Sequence, residues 1–511
     1  MASSTEGKSN PKLPSKASSS SQDLEAVQPS KEDYVYPADG YSMPRQILFI
    51  ATVCMSMYIN QLGLCNTLTT LQIIGDSFGI SNLGQLSWFM AGCSLTIGTF
   101  ILLGGRLGDE YGNKKMFLLG MSWLSLWSLV AGLSVYSNHV LFIFARVFQG
   151  LGPALTLPNA LAILGKSFSE GRRNMAFAWF AAAAPFGAMT GLISGALFSM
   201  VWWPWIFWSQ AVGVAFVAAF AAWIIPDMPV QEEQIRSLRQ KLDRLDLPGG
   251  AAGVMALVLF NFAWNQAVVV TWRDPYVYVC LILSLVFGAL FFYIEIYRAR
   301  HPILPIAAFT SDILFVFACT AAGWATFGIW LFYVVRIALN IGGQTPIQLA
   351  AWFTPILITG VVSALLDSSR FLVTSILMAL RPPDSIYWTY FFFGTIIATI
   401  GMDTSLPAAI MIFASVVPPQ YQGMGASIVM TIVNYSISLG LGFAGTIEVN
   451  INHGGHTEAD LLYGYRGALW FSVGLTGLGT VLSLIFLVQN HRKQKSNDNK
   501  AEENLPEDHQ S

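Results

Sequence analysis

Residues 105–115 read GRLGDEYGNKK and join two long apolar segments of the chain, 86–105 and 115–136. The glycines allow a tight turn, and Asp109 can lie near the positive end of the dipole of the following helix. The two lysines favour the cytoplasmic side of a membrane, where the positive charges of short loops accumulate. The pattern therefore predicts two membrane-spanning helices joined by a short cytoplasmic turn.

The composition agrees with a membrane protein. Of the 511 residues, 54% are hydrophobic and only 11% are charged, whereas soluble proteins carry about 25% charged residues. A water-soluble enzyme is therefore excluded. The net charge of −2 offers no positive field for a nucleic-acid backbone, so we expect no nucleic-acid partner. The five cysteines all fall within apolar runs and are predicted to be unpaired.

Most apolar runs reach the roughly 20 residues that a helix needs to cross a bilayer. We predict fourteen spans, near residues 46–67, 86–105, 115–136, 140–165, 174–200, 205–225, 249–271, 276–297, 312–335, 347–366, 368–381, 386–415, 424–449 and 467–488. The eleventh is short, because only ten residues separate Arg370 from Arg381 and two prolines then end the helix. We expect this span to be short or tilted.

The distribution of Lys and Arg tests this topology independently of hydropathy. With the N-terminus inside, 22 of the 27 basic residues fall on the inner side and one, Arg146, lies within a span. The outer side holds four: Arg273, Arg336, Arg381 and Arg466. Both termini are therefore predicted to be cytoplasmic.

Changes in composition divide the chain into six parts. Both ends are polar and are expected to be solvated tails, and the polar segment between spans six and seven carries an amphipathic helix. The predicted parts are a tail (1–44), an N-terminal six-helix bundle (45–225), a linker (226–247), two inserted spans (248–300), a C-terminal six-helix bundle (301–490) and a second tail (491–511).

Several chemistries lack their sequence motifs. Two Gly-Lys-Ser triplets, at 7–9 and 165–167, have alanine where a phosphate-binding loop needs its first glycine, so ATP hydrolysis is not expected. His453 and His456 form the closest histidine pair, and a polar outer loop is the simpler interpretation than a metal site. We therefore expect no cofactor, no metal and no catalytic residues, and we interpret the chain as a transporter rather than an enzyme.

The turn at 105–115 resembles the signature loop of the major facilitator superfamily, GxLaDrxGrk. Both glycines, the leucine, the aspartate and the first lysine match, whereas Glu110 and Asn113 replace the usual arginines. The resemblance makes this loop part of the conformational switch, and its candidate residues are Gly105, Asp109, Gly112 and Lys114.

Span four carries a second match, RVFQGLGPA at residues 146–154, which resembles the family's RxxqGxgaa. An arginine inside a span is expensive and is a functional candidate by default. We therefore assign Arg146 to proton coupling, with a structural tie to neighbouring carbonyls as the alternative.

A narrower resemblance covers nearly all of residues 44–490. It rests on phrases such as GDSFGISNLGQLSW (75–88), VWWPWIFW (201–208), LFNFAWNQA (259–267), GMDTSLPAA (401–409) and VNYSISLGLGFAGT (433–446). These are similar to the fungal aminotriazole-resistance and boron-efflux transporters of the fourteen-span drug:proton antiporter branch. The resemblance implies an all-α polytopic membrane protein of the major facilitator fold, with two six-helix bundles and two inserted helices. It also implies proton-driven export across the plasma membrane, with the vacuolar membrane as the alternative.

A proton-coupled carrier needs a titratable group within the membrane. Asp403, well inside span twelve, is the strongest candidate, because an intramembrane carboxylate is expensive unless it is used. The alternative is a helix brace in which the carboxylate is permanently paired. Four other acids, Asp76, Glu295, Asp367 and Glu448, lie nearer to span ends and are expected to be solvated.

Uncharged hydrogen-bonding side chains within spans are the candidates for a substrate cavity at the midplane. They are Gln61, Asn66, Gln149, Asn159, Asn261, Asn265, Gln266 and Asn434. Such a lining suits a small neutral or weakly polar solute. The alternative for each is a hydrogen bond between helices.

Span five carries a ridge of small residues that allows a close approach of helices: Pro185, Gly187, Gly191 and Gly195. It resembles the antiporter motif GPxxGG only loosely, so helix packing explains it equally well.

The sequence therefore predicts a proton-coupled exporter of small molecules such as drugs, toxic compounds or boric acid-like solutes. We expect it to act as a monomer whose partners are the substrate, protons and the lipid bilayer. A uniporter or importer on the same fold is the first alternative. A transport-inactive receptor or sensor is the second, because span eleven is shorter than in the family.

Overall fold

The structure is a computed structural model that describes residues 36–80, 83–227, 245–299, 303, 309–356, 371–382, 387–398, 409–410, 412–413 and 422–503. These residues form helices and connecting turns, with no strand among them. We number the helices by the predicted span to which they belong. They are α1 (Met43–Ser77), α2 (Trp88–Tyr111), α3 (Asn113–Leu133), α4 (His139–Ser167), α5 (Glu170–Ser199), α6 (Pro204–Ile224), α7 (Leu247–Val270), α8 (Pro275–Tyr297), α9 (Ser311–Arg336), α10 (Pro346–Trp352), α11 (Phe371–Ala379), α12 (391–398), α13 (Gln422–Ile451) and α14 (Glu458–Glu503).

Eleven of the helices in this part of the chain are long and apolar enough to cross a membrane. They correspond to predicted spans one to nine, thirteen and fourteen. The tenth and twelfth spans continue into residues outside the described ranges. The described part of span eleven is α11, whose nine residues rise about 14 Å, roughly half of the hydrocarbon thickness. Residues 357–370, which precede α11, lie outside the described ranges, so the expectation of a short or tilted span eleven stays a prediction.

Helices α1–α6 form an N-terminal half and α9–α14 a C-terminal half. The halves meet along α2 and α13, which are among the most buried of the spans. The backbones approach so closely that a Cβ on Gly98 would lie 2.5 Å from the backbone nitrogen of Tyr435. This seam runs past the cavity described below, so its geometry decides which side chains face the cavity.

The small-residue ridge of α5 lies against α1. A Cβ on Gly187 would collide with the carbonyl oxygen of Tyr58, and one on Gly191 would lie 2.6 Å from that of Leu62. Gly195 is equally close to Asn66. The structure therefore brings the ridge, which begins at Pro185, into helix packing within the N-terminal half.

The inserted helices α7 and α8 lie beside the seam. Helix α7 packs against α8, α13 and α2. Helix α8 is only 11% buried over its most apolar window and exposes large side chains such as Ile282, Leu285 and Val286. This exposed apolar surface is the one expected to face lipid.

Two ends of the predicted tails are described by the structure. Near the first, Ala38 is fully buried and donates its N–H to the Ser167 carbonyl oxygen at 3.1 Å, whereas Gly40 and Ser42 are exposed. Asp39 pairs with Arg172 at 3.3 Å. At the other end, α14 remains helical to Glu503, beyond the predicted boundary at residue 490. Most of the predicted linker, residues 228–244, lies outside the described ranges.

Candidate substrate cavity and buried polar networks

A cavity lies between the two halves. Its empty volume is about 800 Å³, part of which is open to solvent. The wall of the N-terminal half comes from α1, α2, α4 and α5, and the opposite wall from α9 and α13. The lining residues are Met57, Asn60, Gln61, Leu64, Cys93, Ser94, Ile97, Leu157, Ala181, Ala184, Trp324, Phe327, Met430, Val433, Asn434 and Ile437, none of which is charged.

Two of the eight predicted cavity residues, Gln61 and Asn434, lie on this wall. Asn60, which the sequence analysis did not single out, lies beside Gln61 and donates to its Oε1 at 3.2 Å. The Asn434 amide donates to the Met430 carbonyl oxygen at 3.0 Å. The lining residues of α1 (57, 60, 61 and 64) have the spacing of a single helix face. Those of α13 (430, 433, 434 and 437) have the same spacing. That spacing is the sequence signal that could have identified Asn60.

Arg146, assigned to proton coupling, is 1% exposed and lies within the N-terminal half. Its Nε donates to the Phe89 carbonyl oxygen at 2.9 Å, its Nη2 to that of Gly63 at 3.2 Å, and its Nη1 to the side chain of Gln149. Gln149 in turn donates to Ser128 at 2.6 Å. Among the described residues no carboxylate lies within ion-pair distance of Arg146. The tie to neighbouring carbonyls, which the sequence analysis left as the alternative to proton coupling, is therefore present. Gln149 supports Arg146 instead of lining the cavity.

Two more predicted cavity residues belong to the packing of the N-terminal half. Asn66 is fully buried and donates to Gln210 Oε1 on α6 at 3.3 Å. Asn159 is also fully buried and donates to the Gly104 carbonyl oxygen at 3.0 Å. Neither residue lines the cavity.

The turn at the inner ends of α2 and α3 is held by an amide network. Asn113 donates to Asn159 Oδ1 at 2.9 Å and accepts from Lys166 Nζ at 2.9 Å. Asp109 also lies 3.4 Å from Lys166 Nζ. Asn113 thus occupies the place of the family arginine and joins α3 to α4 through one neutral hydrogen bond, to Asn159, and one from the charged Lys166.

The glycines of this turn have local roles. Gly112 has φ +102°, a conformation that favours glycine. A Cβ on Gly105 would lie 2.9 Å from Ser427 Oγ in the C-terminal half. Lys114 pairs with Asp227 at 2.9 Å, and this hydrogen-bonded ammonium lowers the pKa of the exposed carboxyl.

The remaining three predicted cavity residues attach the inserted helix α7 to the seam. Asn265 donates to Asn261 Oδ1 at 2.8 Å and to the Ser438 carbonyl oxygen at 3.2 Å. Ser438 donates both to Asn261 Oδ1 at 2.9 Å and to the Ala91 carbonyl oxygen at 3.0 Å. Gln266 accepts from Trp88 Nε1 at 3.1 Å. These amides therefore form hydrogen bonds between helices, which is the alternative to cavity lining that the sequence analysis left open.

The C-terminal half contains a buried ion pair that the sequence analysis missed. Arg336 Nη1 lies 3.0 Å from both carboxylate oxygens of Glu448, and Tyr333 donates to the same carboxylate at 2.8 Å. Glu448 is 5% exposed and Arg336 is 4% exposed. The prediction that Glu448 is solvated is therefore wrong, because α13 continues past this residue and packs against α9. Arg336, which was counted on the outer side, is the last residue of α9 and is buried.

The other four acidic residues considered in the sequence analysis differ in burial and in whether the structure describes them. Glu295 is also buried, at 5% exposure, and accepts from the Ile303 N–H at 3.1 Å, contrary to the prediction. Asp76 is exposed, as predicted. Asp367 and the proton-carrier candidate Asp403 lie outside the described residues.

Comparison with known proteins gives the family. The model of the Major Facilitator Superfamily matches residues 48–380. The efflux pump terG of Aspergillus terreus is 63% identical over 93% of this chain and 93% of its own. The low affinity ammonium transporter of Saccharomyces cerevisiae is 44% identical, over 88% of this chain and 89% of its own. The aminotriazole resistance protein of the same yeast is 36% identical, over 88% and 85%.

Solved structures support the fold alone. The peptide transporter POT in complex with sulfate superposes with a TM-score of 0.62 at 14% identity, covering 87% of this chain and 94% of its own. A bacterial homologue of the lysosomal transporter Spinster in an inward-facing conformation has a TM-score of 0.59 at 14% identity, over 87% and 98%. With its helical halves, its apolar spans and these relatives, the chain is a multi-pass membrane protein that belongs to the major facilitator superfamily of transporters.

Proposed function

We propose that this protein exports small molecules across a membrane in exchange for protons. The observation that carries the proposal is the uncharged cavity between the two halves, in a chain that is 63% identical to a relative named as an efflux pump. A cavity at the junction of two helical bundles can open to either side when the bundles rock against each other. Gln61 lines the cavity from the N-terminal half and Asn434 from the C-terminal half, and both are proposed to contact the substrate.

Proton coupling is proposed to involve Asp403 and Arg146. Asp403 supplies a carboxyl that can bind and release a proton, and its position within predicted span twelve is the reason for the assignment. Arg146 supplies a fixed positive charge, because it is held by carbonyl oxygens and Gln149 without a neutralising acid among the described residues. A buried charge without a counter-ion is retained where it has a function.

The protein is proposed to act as a monomer in the plasma membrane, with the vacuolar membrane as the alternative. A fluorescent fusion of the full chain distinguishes the two membranes.

The test uses the purified full chain in proteoliposomes with an imposed pH gradient, with aminotriazole, boric acid and a cationic dye as substrates. Substrate-dependent proton flux supports the exporter. In the Asp403→Asn variant we expect pH-driven flux to be lost while counterflow without a gradient continues, because substrate binding does not need the proton. Unchanged pH-driven flux in the variant would assign the proton to another residue.

A uniporter or importer is the second candidate, favoured by the relative named as a low affinity ammonium transporter. It predicts counterflow that is indifferent to the pH gradient in both the wild type and Asp403→Asn. If the folded protein moves no substrate, a receptor or sensor on the same fold becomes the better interpretation.

A further inference from the structure

We propose that the hydroxyl of Ser438 changes its hydrogen-bond acceptor when the two halves separate, from the Ala91 carbonyl oxygen on α2 to the side chain of Asn261 on the inserted helix α7. The exchange lets the seam between α2 and α13 open at one end without leaving a buried hydroxyl unpaired. The inference rests on the proposed function, because it describes how the proposed exporter changes conformation. Ser438 and Asn261 act as positioning residues, since neither belongs to the lining of the cavity.

The contact between Ser438 and Ala91 lies at one end of the cavity. Helix α2 ends at the turn of residues 105–115, and Ala91 lies near its start, before Cys93, the first α2 residue of the cavity wall. On α13, Ser438 follows Ile437, the last lining residue of that helix. The bond therefore joins the halves on the side of the cavity away from the turn, which is the outer side in the predicted topology. Rocking of the halves towards an outward-open conformation separates α2 from α13 at this end.

The Ser438 hydroxyl has two acceptors within reach. Its oxygen lies 3.0 Å from the Ala91 carbonyl oxygen and 2.9 Å from Asn261 Oδ1. A hydroxyl has a single hydrogen, so it donates to only one of these acceptors at a time. Ser438 and Asn261 are fully buried, and a buried donor that loses its acceptor is unfavourable. The second acceptor therefore removes a cost that separation from Ala91 would otherwise carry.

The orientation of the Asn261 amide is fixed by Asn265. Asn265 Nδ2 lies 3.1 Å from the Asn261 carbonyl oxygen and 3.2 Å from the Ser438 carbonyl oxygen, and two acceptors require a nitrogen at this position. The same nitrogen lies 2.8 Å from the Asn261 side chain, which must therefore present its oxygen. That oxygen is also the atom directed at the Ser438 hydroxyl. Asn265 thus keeps Asn261 oriented as an acceptor.

The second acceptor stays beside Ser438 because α7 is attached to α13. The Tyr435 hydroxyl of α13 donates to the Leu257 carbonyl oxygen of α7 at 2.9 Å. Further along the two helices, the rings of Trp264 and Phe443 meet edge to face with their centroids 4.4 Å apart. Together with the bond from Asn265 to the α13 backbone, these contacts are spread along α7. We therefore expect α7 to move with the C-terminal half.

The contact of α7 with α2 is of a different kind. Trp88 donates from its indole nitrogen to Gln266 Oε1 at 3.1 Å, and its ring lies 5.6 Å from that of Phe262 between centroids. Both are contacts between long side chains, which can follow a displacement of one helix past the other. The hydrogen bonds to α13 instead involve backbone carbonyl oxygens of both helices. We therefore expect the separation to take place between α2 and α7.

The access of a reagent to Cys93 from the outer side measures this opening. Cys93 lines the cavity, whereas Cys65 is buried outside the cavity lining and serves as the internal control. Intact cells that express the full chain are treated with a membrane-impermeant maleimide, and the alkylated peptides are quantified by mass spectrometry. Inside-out vesicles give the access from the opposite side.

Two single variants are expected to differ although they break the same bond. Asn261→Leu should lower the rate of Cys93 alkylation from the outside about 10-fold, because opening then leaves the Ser438 hydroxyl unpaired. Ser438→Ala should change this rate less than about 2-fold, because it removes one hydrogen bond from each conformation. Asn450→Leu and Ser209→Ala are the matched controls, since their side chains bond to carbonyl oxygens of their own helices.

The double variant separates the exchange from a merely structural role. Asn261→Leu combined with Ser438→Ala should restore Cys93 alkylation from the outside to within about 2-fold of the wild type, because no hydroxyl remains to be left unpaired. Its melting temperature should be no higher than that of Asn261→Leu alone, because the bond to Ala91 is also lost. Access and stability therefore change in opposite directions between the two variants.

Two results would overturn the proposal. One is a double variant with access as low as that of Asn261→Leu. The other is a Ser438→Ala variant whose access from the outside rises about 10-fold while access in inside-out vesicles falls, since a simple latch between the halves behaves in this way. If Asn261→Leu does not fold, Asn261→Ala removes the same acceptor and carries the same expectations.

The proposed function can fail separately from this inference. The expected order of Cys93 access without any counterflow in proteoliposomes would support the exchange and contradict transport. Substrate-dependent proton flux with equal Cys93 access in the wild type and all variants would support the exporter and contradict the exchange.

Discussion

Arg146 in the N-terminal half and Arg336 in the C-terminal half are the least exposed arginines of the described residues, and the two are held in different ways. In the N-terminal half, Arg146 uses all three of its guanidinium nitrogens, bound to two backbone carbonyl oxygens and to Gln149, and no acid pairs with it among the described residues. In the C-terminal half, Arg336 pairs with Glu448 through Nη1, while its Nε and Nη2 have no hydrogen-bond partner in the described part of the chain. The ring of Tyr465 lies 4.5 Å from this guanidinium.

The difference separates a charged site from a neutral one. Carbonyl dipoles and an amide can satisfy the donors of Arg146 without cancelling its charge, so the N-terminal half keeps a net positive charge near the cavity. The pair in the C-terminal half is neutral overall and joins α9 to α13, as a brace would. Buried ion pairs of this kind are strongly disrupted when one partner is removed. We therefore expect the Arg336 site to respond mainly in stability and the Arg146 site in transport as well.

The largest expected effect comes from Glu448→Gln. This change leaves Arg336 buried without a counter-charge and should lower the free energy of unfolding by about 3–5 kcal/mol. Thermal and chemical unfolding in detergent measure it. Glu458→Gln is the control, because Glu458 is exposed at the start of α14.

A second change shows whether the uncompensated charge of Arg336 causes the destabilisation expected for Glu448→Gln. Arg336→Met combined with Glu448→Leu removes both charges and should recover most of the lost stability. A double variant as unstable as Glu448→Gln would contradict the interpretation of the pair as a compensated brace.

Gln149→Leu is the corresponding change at Arg146. It leaves one donor of a buried guanidinium without a partner and should lower stability by about 3 kcal/mol. We also expect the rate of pH-driven transport to fall, since the position of the uncompensated charge changes. Gln72→Leu, on the exposed side of α1, is the control. A variant with wild-type stability and transport would show that Gln149 does not support Arg146.

Tyr333→Phe should have a smaller effect. The change removes the hydrogen bond to Glu448 but leaves the ion pair, so we expect a loss of about 1.5 kcal/mol, the lower end for a bond to a charged group. Unfolding in detergent measures this loss, with the exposed Tyr463→Phe as the control. A loss as large as that of Glu448→Gln would mean that Tyr333, rather than Arg336, is the main partner of the carboxylate.

The smallest effect is expected at the exposed pair of Lys114 and Asp227. The pKa of Asp227 is lowered in the folded protein, so the contribution of the pair is present at neutral pH and is lost as the pH falls through that pKa. Because solvent and salt screen exposed pairs, Asp227→Asn should leave the melting temperature at pH 7 unchanged within error. A marked destabilisation that disappears in high salt would show that this pair is not screened as its exposure indicates.

Much of the fold followed from local sequence patterns. Apolar runs of sufficient length predicted the spans that the structure describes, and the glycines of residues 105–115 predicted the turn between α2 and α3, where Gly112 has a positive φ. The spacing of Gly187, Gly191 and Gly195 predicted a close helix contact, which the structure forms with α1. These features depend on neighbours along one helix or one turn.

The site was predicted less completely. The eight amide-bearing candidates shared the correct chemistry, but only Gln61 and Asn434 lie on the cavity wall. Asn261 and Asn265 belong to the same residue type at similar depth, yet they bind α13. Hydropathy and residue type do not reveal which face of a helix meets which neighbour, so they cannot separate a cavity amide from an amide between helices.

The sequence by itself determined that the chain enters the membrane many times, where its short inner turn lies, and which family it resembles, because hydrophobic length, glycine conformation and motif spacing are local properties. Only the tertiary structure decided that Arg336 and Glu448, more than a hundred residues apart, form one buried pair. It also decided that Arg146 has no acid beside it among the described residues. The physical reason is that the energy of a buried charge depends on what surrounds it, and those surroundings come from helices that are distant in the chain.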